Sequence, residues 1–261
     1  MNFLGKWQRL IALSGFALWL LHGCAGSKPQ FDVNNIEQEY ANGLELMEKK
    51  NWLRAEETFT FIVYNDPVGE YADDAQFQLA ETHYYREEYL IAIDEYNRLI
   101  NRMPNSPLVE QASWRKAECY YLLSPDYRLD QTLTKRALKE MQNFIDLFPQ
   151  SEHVPRATEY IVEIREKLAH KLYGSGVLYL KLREWDSALL YFNEILDLYY
   201  DTTYREAALV AKAEALVGKD ELDEAELIMR QVNPEALDKS SRKKLTRTYE
   251  ELQDKREEAS D

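Results

Sequence analysis

Cysteine is nearly missing from this chain. Cys24 and Cys119 are the only two in 261 residues, and they make no CxxC pair and no metal-type spacing. Glycine is almost as scarce. The nine present build no Walker loop or dinucleotide fingerprint, and G-x-S-x-G and H-E-x-x-H are absent too. Positive charge is in deficit, with 32 Lys and Arg against 46 Asp and Glu, so nucleic acid is a poor partner. The apolar run Leu10–Leu21 stops at twelve residues, short of the about 20 that a membrane-spanning helix needs. No strand-like alternation of apolar and polar residues persists anywhere. Nor is there a catalytic set. His83, His153 and His170 fall on separate helical stretches. The acid pairs Asp73-Asp74 and Glu87-Glu88 are sequence neighbours, which a helix turns to different faces. These absences argue against an enzyme, with no catalytic residue and no metal ligand expected, and favour function by non-covalent contact.

What the N-terminus does have is Lys6 and Arg9, the short apolar run, and then Leu21-His22-Gly23-Cys24. A basic start, a short apolar middle and a small residue before the cut describe a secretory signal. Its end resembles a bacterial lipobox, although His22 departs from the Ala, Ser or Thr usual at that position. The expectation is a signal peptide over 1–23 and a diacylglycerol plus an N-acyl chain on Cys24, with no other cofactor. Ala25, rather than Asp, favours the outer membrane. Losing 1–23 leaves 30 basic and 46 acidic residues, a net charge of −16. Anionic headgroups repel such a chain, so the acyl chains, at about 0.8 kcal/mol per buried methylene, must hold it at the membrane. With Cys24 acylated, no intramolecular disulfide remains, and Cys119 in "KAECYYLL" reads as a small core residue.

The strongest pattern is an internal repeat. Gly43, Ala80 and Ala117 are spaced by 37, as are Gly176 and Ala213. A second series, Ala55, Ala92, Ala137, Ala188 and Ala225, follows at 12 residues, except in the third unit, where the gap is 20. Large residues come four positions later (Phe59, Tyr96, Met141, Phe192, Met229), and three later again (Ile62, Leu99, Phe144, Ile195, Val232). Pro67, Pro104 and Pro149 close the first three units at one common offset. Antiparallel helices approach closely only with small side chains at the crossing, and proline stops the second helix. This order resembles the tetratricopeptide repeat. The expected fold is all-α: a tetratricopeptide-repeat superhelix of five helix pairs, with a long linking helix between units three and four and a C-terminal capping helix. Eight extra residues fall around 124–132 and fourteen around "HVPRATEYIVEIRE". The tail places Leu245, Tyr249 and Leu252 on one face.

Aromatic residues recur with the repeat. Tyr40, Phe77 and Trp114 are spaced by 37, and Met47, Tyr84 and Tyr121 follow seven residues behind each. Two readings stay open: packing between neighbouring units, or the walls of a groove that accepts an extended peptide. The same row in units four and five reads Tyr173 and Val210, so the two halves are expected to offer different surfaces.

From Cys24 to about Val232 the chain resembles the BamD family, the lipoproteins of the outer-membrane β-barrel assembly machine. The resemblance is carried by Arg128, Asp130 and Gln131, by Ala137, by Phe148-Pro149-Gln150-Ser151, and by Arg165, Leu168, Ala169 and Tyr179. Tyr200 departs from it, standing where a closing proline is usual. The resemblance implies a tether over 24–35, a precursor-binding half over 36–151, an insertase-docking half over 152–233, and a cap with an acidic tail over 234–261. It further implies two partners, unfolded outer-membrane protein precursors and a POTRA-bearing β-barrel insertase, with accessory lipoproteins alongside. Trp185, Tyr191 and Tyr199 are the docking candidates it suggests. The competing expectations are another envelope tetratricopeptide lipoprotein that coordinates cell-wall synthesis or division, and an enzyme subunit or lipid-binding protein with a deep closed pocket.

Overall fold

Ala55, Ala92, Ala137, Ala188 and Ala225, the alanines marked by their spacing, are all fully buried. They belong to a computed structural model that describes residues 31–259. The expected signal segment 1–23, Cys24 and the expected tether up to residue 30 lie outside the described residues. Eleven helices are present among the described residues, and no strand. The first two pairs are α1 (Ile36–Glu48) with α2 (Trp52–Asn65), and α3 (Ala72–Tyr85) with α4 (Tyr89–Arg102). The third is α5 (Val109–Leu122) with α6 (Thr132–Leu147), and the fourth is α7 (Val154–Leu182) with α8 (Trp185–Leu198). Last come α9 (Tyr204–Gly218) with α10 (Leu222–Met229), a 3₁₀ turn at Pro234–Ala236, and α11 (Lys239–Glu258). Each helix packs on the next in chain order; α7 also meets α9, and α11 covers both α9 and α10. Contact restricted to near neighbours is the mark of a stacked helical repeat, here of the tetratricopeptide type.

Local chemistry sets both kinds of turn. Within a pair the first helix ends on a residue in the left-handed region: Lys50 (φ 56°), Glu87 (61°), Arg183 (60°) and Asp220 (64°). The next N–H reaches back to close the helix, as in Asn51 N to Leu46 O (2.8 Å) and Glu88 N to His83 O (3.0 Å). These are Schellman ends, built without the glycine that usually lowers their strain. Unit three lacks this turn, because the eight extra residues replace it. Between pairs, Asp66, Met103 and Phe148 share an extended φ near −130° and precede Pro67, Pro104 and Pro149. Tyr199 adopts a similar conformation before Tyr200. The fourth turn therefore forms without its proline, closed by Thr202 N to Tyr199 O at 3.1 Å.

The linking helix is not a bare strut. α7 runs 29 residues, with Pro155 in its first turn, where proline needs no hydrogen-bond partner. One apolar cluster runs unbroken from Trp114, Met141 and Phe144 through Tyr160, Ile164 and Leu168 to Phe192 and Ile195. Units three and four thus share a core. At the far end, α10 has eight residues where other second helices have 14 or more. Pro234 would clash with the carbonyl of Arg230 in a continuing helix, so the chain leaves the helix early while Val232 and Leu237 stay buried. α11 turns Leu245, Thr248 and Leu252 inward. Tyr249, expected on that face, is 52 % exposed instead, because the packed stripe runs i, i+3, i+7.

Candidate functional site

The aromatic row of the first helices divides into two sets. Phe77 and Trp114 are each 5 % exposed and present no ring to solvent. Phe77 packs on Tyr96 at 5.8 Å between centroids, and Trp114 stacks on His153 at 4.9 Å and lies against Phe144 at 5.6 Å. Phe77 thus packs inside unit two, and Trp114 packs inside unit three and on the turn that follows it. The cause is geometric: each unit lays its second helix, and the next turn, over the ring of its first. Tyr40, Met47, Tyr84 and Tyr121 remain half-buried. Tyr40 leans on Tyr71 (5.1 Å), and the Met47 sulfur accepts from Thr82 Oγ1 (3.1 Å). The Arg115 guanidinium lies 4.6 Å from the centre of the Tyr84 ring. Tyr121 stacks on Tyr160 at 3.7 Å and donates its hydroxyl to Glu163. Burial, and then that carboxylate, push the Tyr121 phenol up to about 12. Behind this row lies a buried polar knot. Glu81 accepts from the Tyr96 hydroxyl and pairs with Arg115, which also pairs with Glu118. Burial raises Glu81 above the usual carboxylate range, with Arg115 opposing.

A second site forms where unit three carries its extra residues. The loop 124–131 is fastened to α7 by two lysines one turn apart. Lys167 Nζ donates to Ser124 Oγ (2.8 Å) and Lys171 Nζ to the Arg128 carbonyl (2.9 Å). Between them, His170 stacks on Tyr127 at 3.7 Å and on Tyr204 at 5.1 Å. Gln131 holds the loop from within, donating its amide to the carbonyls of Asp126 (2.9 Å) and Leu129 (3.0 Å). Under the loop lies a cleft of about 430 Å³. It gathers Arg128, Asp130 and Gln131 with Leu168 of α7 and with Tyr191 and Tyr199 at α8. Residues far apart in sequence thus meet at one place. Sequence reasoning missed Lys135, Lys171 and Glu194 on its rim; the helical spacing Leu168, Lys171, Leu172, Ser175 along α7 could have pointed to Lys171, and no sequence signal joins it to the other two.

The docking candidates separate in the same way. Tyr191 is half-buried, stacked on Tyr179 at 5.5 Å, and borders the cleft. Tyr199 is only 6 % exposed, with the Arg165 guanidinium 5.4 Å from its ring centre. Trp185 wedges against the end of α9, where a Cβ on Gly218 would sit 2.8 Å from its ring. Arg165 grips the fourth turn through Asp201 (3.0 Å) and the Leu198 carbonyl (2.8 Å). Glu166 beside it accepts from Thr203 N (2.8 Å) at the start of α9.

Residues 33–226 match the model of the YfiO family, described as outer membrane lipoprotein. A protein of Rickettsia prowazekii named outer membrane protein assembly factor BamD is 30% identical over 207 residues, covering 79% of this chain and 82% of that protein. One of Caulobacter vibrioides with the same name is 27% identical over 197 residues, covering 74% of this chain and 65% of its own length. Among solved structures, a tetratricopeptide repeat protein from Parabacteroides merdae gives a TM-score of 0.37 at 16% identity, covering 84% of this chain and 75% of that one.

Proposed function

The chain belongs to the BamD family of outer-membrane lipoproteins, and from that we propose that it is a lipid-anchored scaffold of the outer-membrane β-barrel assembly complex. In this reading Cys24 carries the acyl anchor on the periplasmic face of the outer membrane. The first three units receive unfolded barrel precursors, and units four and five hold the POTRA-bearing insertase. The work is non-covalent and calls for no nucleotide or metal.

The observation that carries the reading is the family match over 33–226, which reaches into the fifth unit and takes in both sites. Two further features support it. The half-exposed tyrosines of units one to three offer large apolar faces with polar edges, which suit an extended peptide with aromatic side chains. The roughly ten tether residues from Ala25 span at most about 35 Å, which keeps the units near the bilayer and raises the local concentration of both partners.

The test is a pull-down from detergent-solubilised envelopes with the full chain as bait. Recovery of a POTRA-bearing β-barrel protein is expected. Recovery of cell-wall synthesis or division proteins alone would transfer the function to an envelope coordinator. Labelling with radioactive palmitate checks the anchor: Cys24→Ser is expected to lose the label and to leave the membrane fraction.

A further inference from the structure

Three carboxylates are buried among the described residues, and two of them take their cations from within their own units. Glu95 pairs with Arg98, and Glu140 with Lys116 and Arg136. Glu81 of α3 instead takes one from the next unit. Its partner Arg115, on α5, lies at 3.1 Å and reaches on to Glu118 at 2.8 Å. The same guanidinium covers the face of the Tyr84 ring, 4.6 Å from its centre. Tyr85 and Tyr89 meet that ring in edge-to-face contacts, at 5.6 Å and 5.8 Å between centroids.

The fold does not require charge at this crossing. Glu81 and Arg115 are 34 residues apart, and the residues in register with them between units one and two are Leu44 and Gln78. Between units four and five they are Val177 and Ala211. Tyr96, whose hydroxyl donates to Glu81, has Phe59 and Phe192 as counterparts. Two other crossings thus close with neither an ion pair nor a hydroxyl. Burying charge costs desolvation, and uncharged side chains of similar size often serve stability as well or better. What the charged set adds is a fixed plane over one aromatic ring.

We propose that Arg115 is a positioning residue for the peptide groove of units one to three. Glu81 and Glu118 fix the guanidinium, and the guanidinium fixes the Tyr84 ring, which stands between Met47 and Tyr121 in the half-buried row. A ring ordered before the peptide arrives loses less freedom on binding. A lysine would carry the charge without the plane. The inference rests on the groove reading above for what Tyr84 contacts, and not for what holds Tyr84.

The experiment is a transplant. The triple variant Glu81→Leu, Tyr96→Phe, Arg115→Gln gives units two and three the crossing that units one and two have. It is made in the mature full chain carrying 3-fluorotyrosine, and binding of a fluorescein-labelled octapeptide of alternating Tyr and Ser is followed by anisotropy. A urea midpoint equal to the wild type or higher is expected, with peptide affinity about threefold to tenfold weaker. The Tyr84 fluorine signal, assigned by its loss in Tyr84→Phe, is expected to move towards that of free fluorotyrosine while the Tyr40 signal stays. A Tyr84 signal that stays, an affinity that stays, or a loss of affinity matched by a lower midpoint overturns the proposal. A wild type that leaves the peptide free removes the groove reading instead, and the fluorine shift alone then decides whether Arg115 holds the ring.

Discussion

Gly176 of α7 and Phe192 of α8 touch so closely that no other residue fits: a Cβ at 176 would lie 2.5 Å from the Phe192 ring. Gly43 and Phe59 repeat the relationship in unit one at 2.6 Å. Both phenylalanines are fully buried, so neither ring has room to retreat. Where the second helix brings Met141 or Met229, the facing position is Ala117 or Ala213. Small and large residues trade volume in four of the five pairs; unit two sets Ala80 in register with Tyr96.

Gly176→Ala is therefore expected to destabilise the fold. Alanine gains about 1 kcal/mol in helix propensity, but overpacking costs about 1–3 kcal/mol, and the second term wins. Gly174, two residues earlier in the same helix, has nothing within 4 Å of the added Cβ. Gly174→Ala is expected to stabilise by up to about 1 kcal/mol. Urea melts of the two variants should move in opposite directions, and movement together would refute the packing account.

Phe77→Ala and Trp114→Ala are expected to cost about 3–5 kcal/mol of stability each, as cavities in the buried core. Thermal melts should show earlier and broader unfolding. A normal melt with selective loss of peptide binding would return these rings to the groove.

The periodic core was legible because helix pairs impose it: every small residue of both 37-step series is buried, as is every large partner behind them. The bounds of the pairs followed from proline and from the loss of periodicity. What sequence could not show was which face of an aromatic position the packing covers. Phe77 and Tyr84 lie seven residues apart on α3, yet one is enclosed and the other half-exposed. The cleft was hidden for a related reason. Lys135, Lys171 and Glu194 come from three helices, and only the fold of the extra loop brings them around Gln131. Tyr249 was misplaced because the packed stripe passes through Thr248, a polar residue that a search for apolar spacing skips.

The Arg165–Asp201 pair gives the fourth turn a pH signature. Hydrogen bonds from Arg165 hold the Asp201 carboxyl below its ordinary range. A depressed carboxylate contributes stability above its unfolded pKa, near 3.9, and loses it as pH falls through the lower folded value. Asp201 is half exposed, so screening limits the contribution to about 1 kcal/mol or less. Asp201→Asn is expected to be less stable than the wild type at pH 7, and the gap to close as pH falls past the unfolded value and through the lower folded one. A gap that stays constant over that interval would show that the charge plays no part.

Tyr200 offers the last test, because the turn around it already has the shape of its three proline-bearing counterparts. Its side chain is 61 % exposed, and its N–H makes no hydrogen bond within the described residues, so proline removes nothing. Fixing φ reduces the freedom of the unfolded chain, worth about 0.4–1 kcal/mol. Against that stands Tyr199, whose ψ of 34° must open towards the 56° to 60° seen at Met103 and Phe148 to clear the new ring. Arg165 holds the neighbouring Leu198 carbonyl and Asp201, and their side of the turn keeps its place during that adjustment. Tyr200→Pro is expected to raise the melting temperature by a few degrees at most. In an Arg165→Ala background, where the turn loses this grip, the same substitution should gain more; an equal gain there would mean that the clamp and the proline act on different parts of the loop.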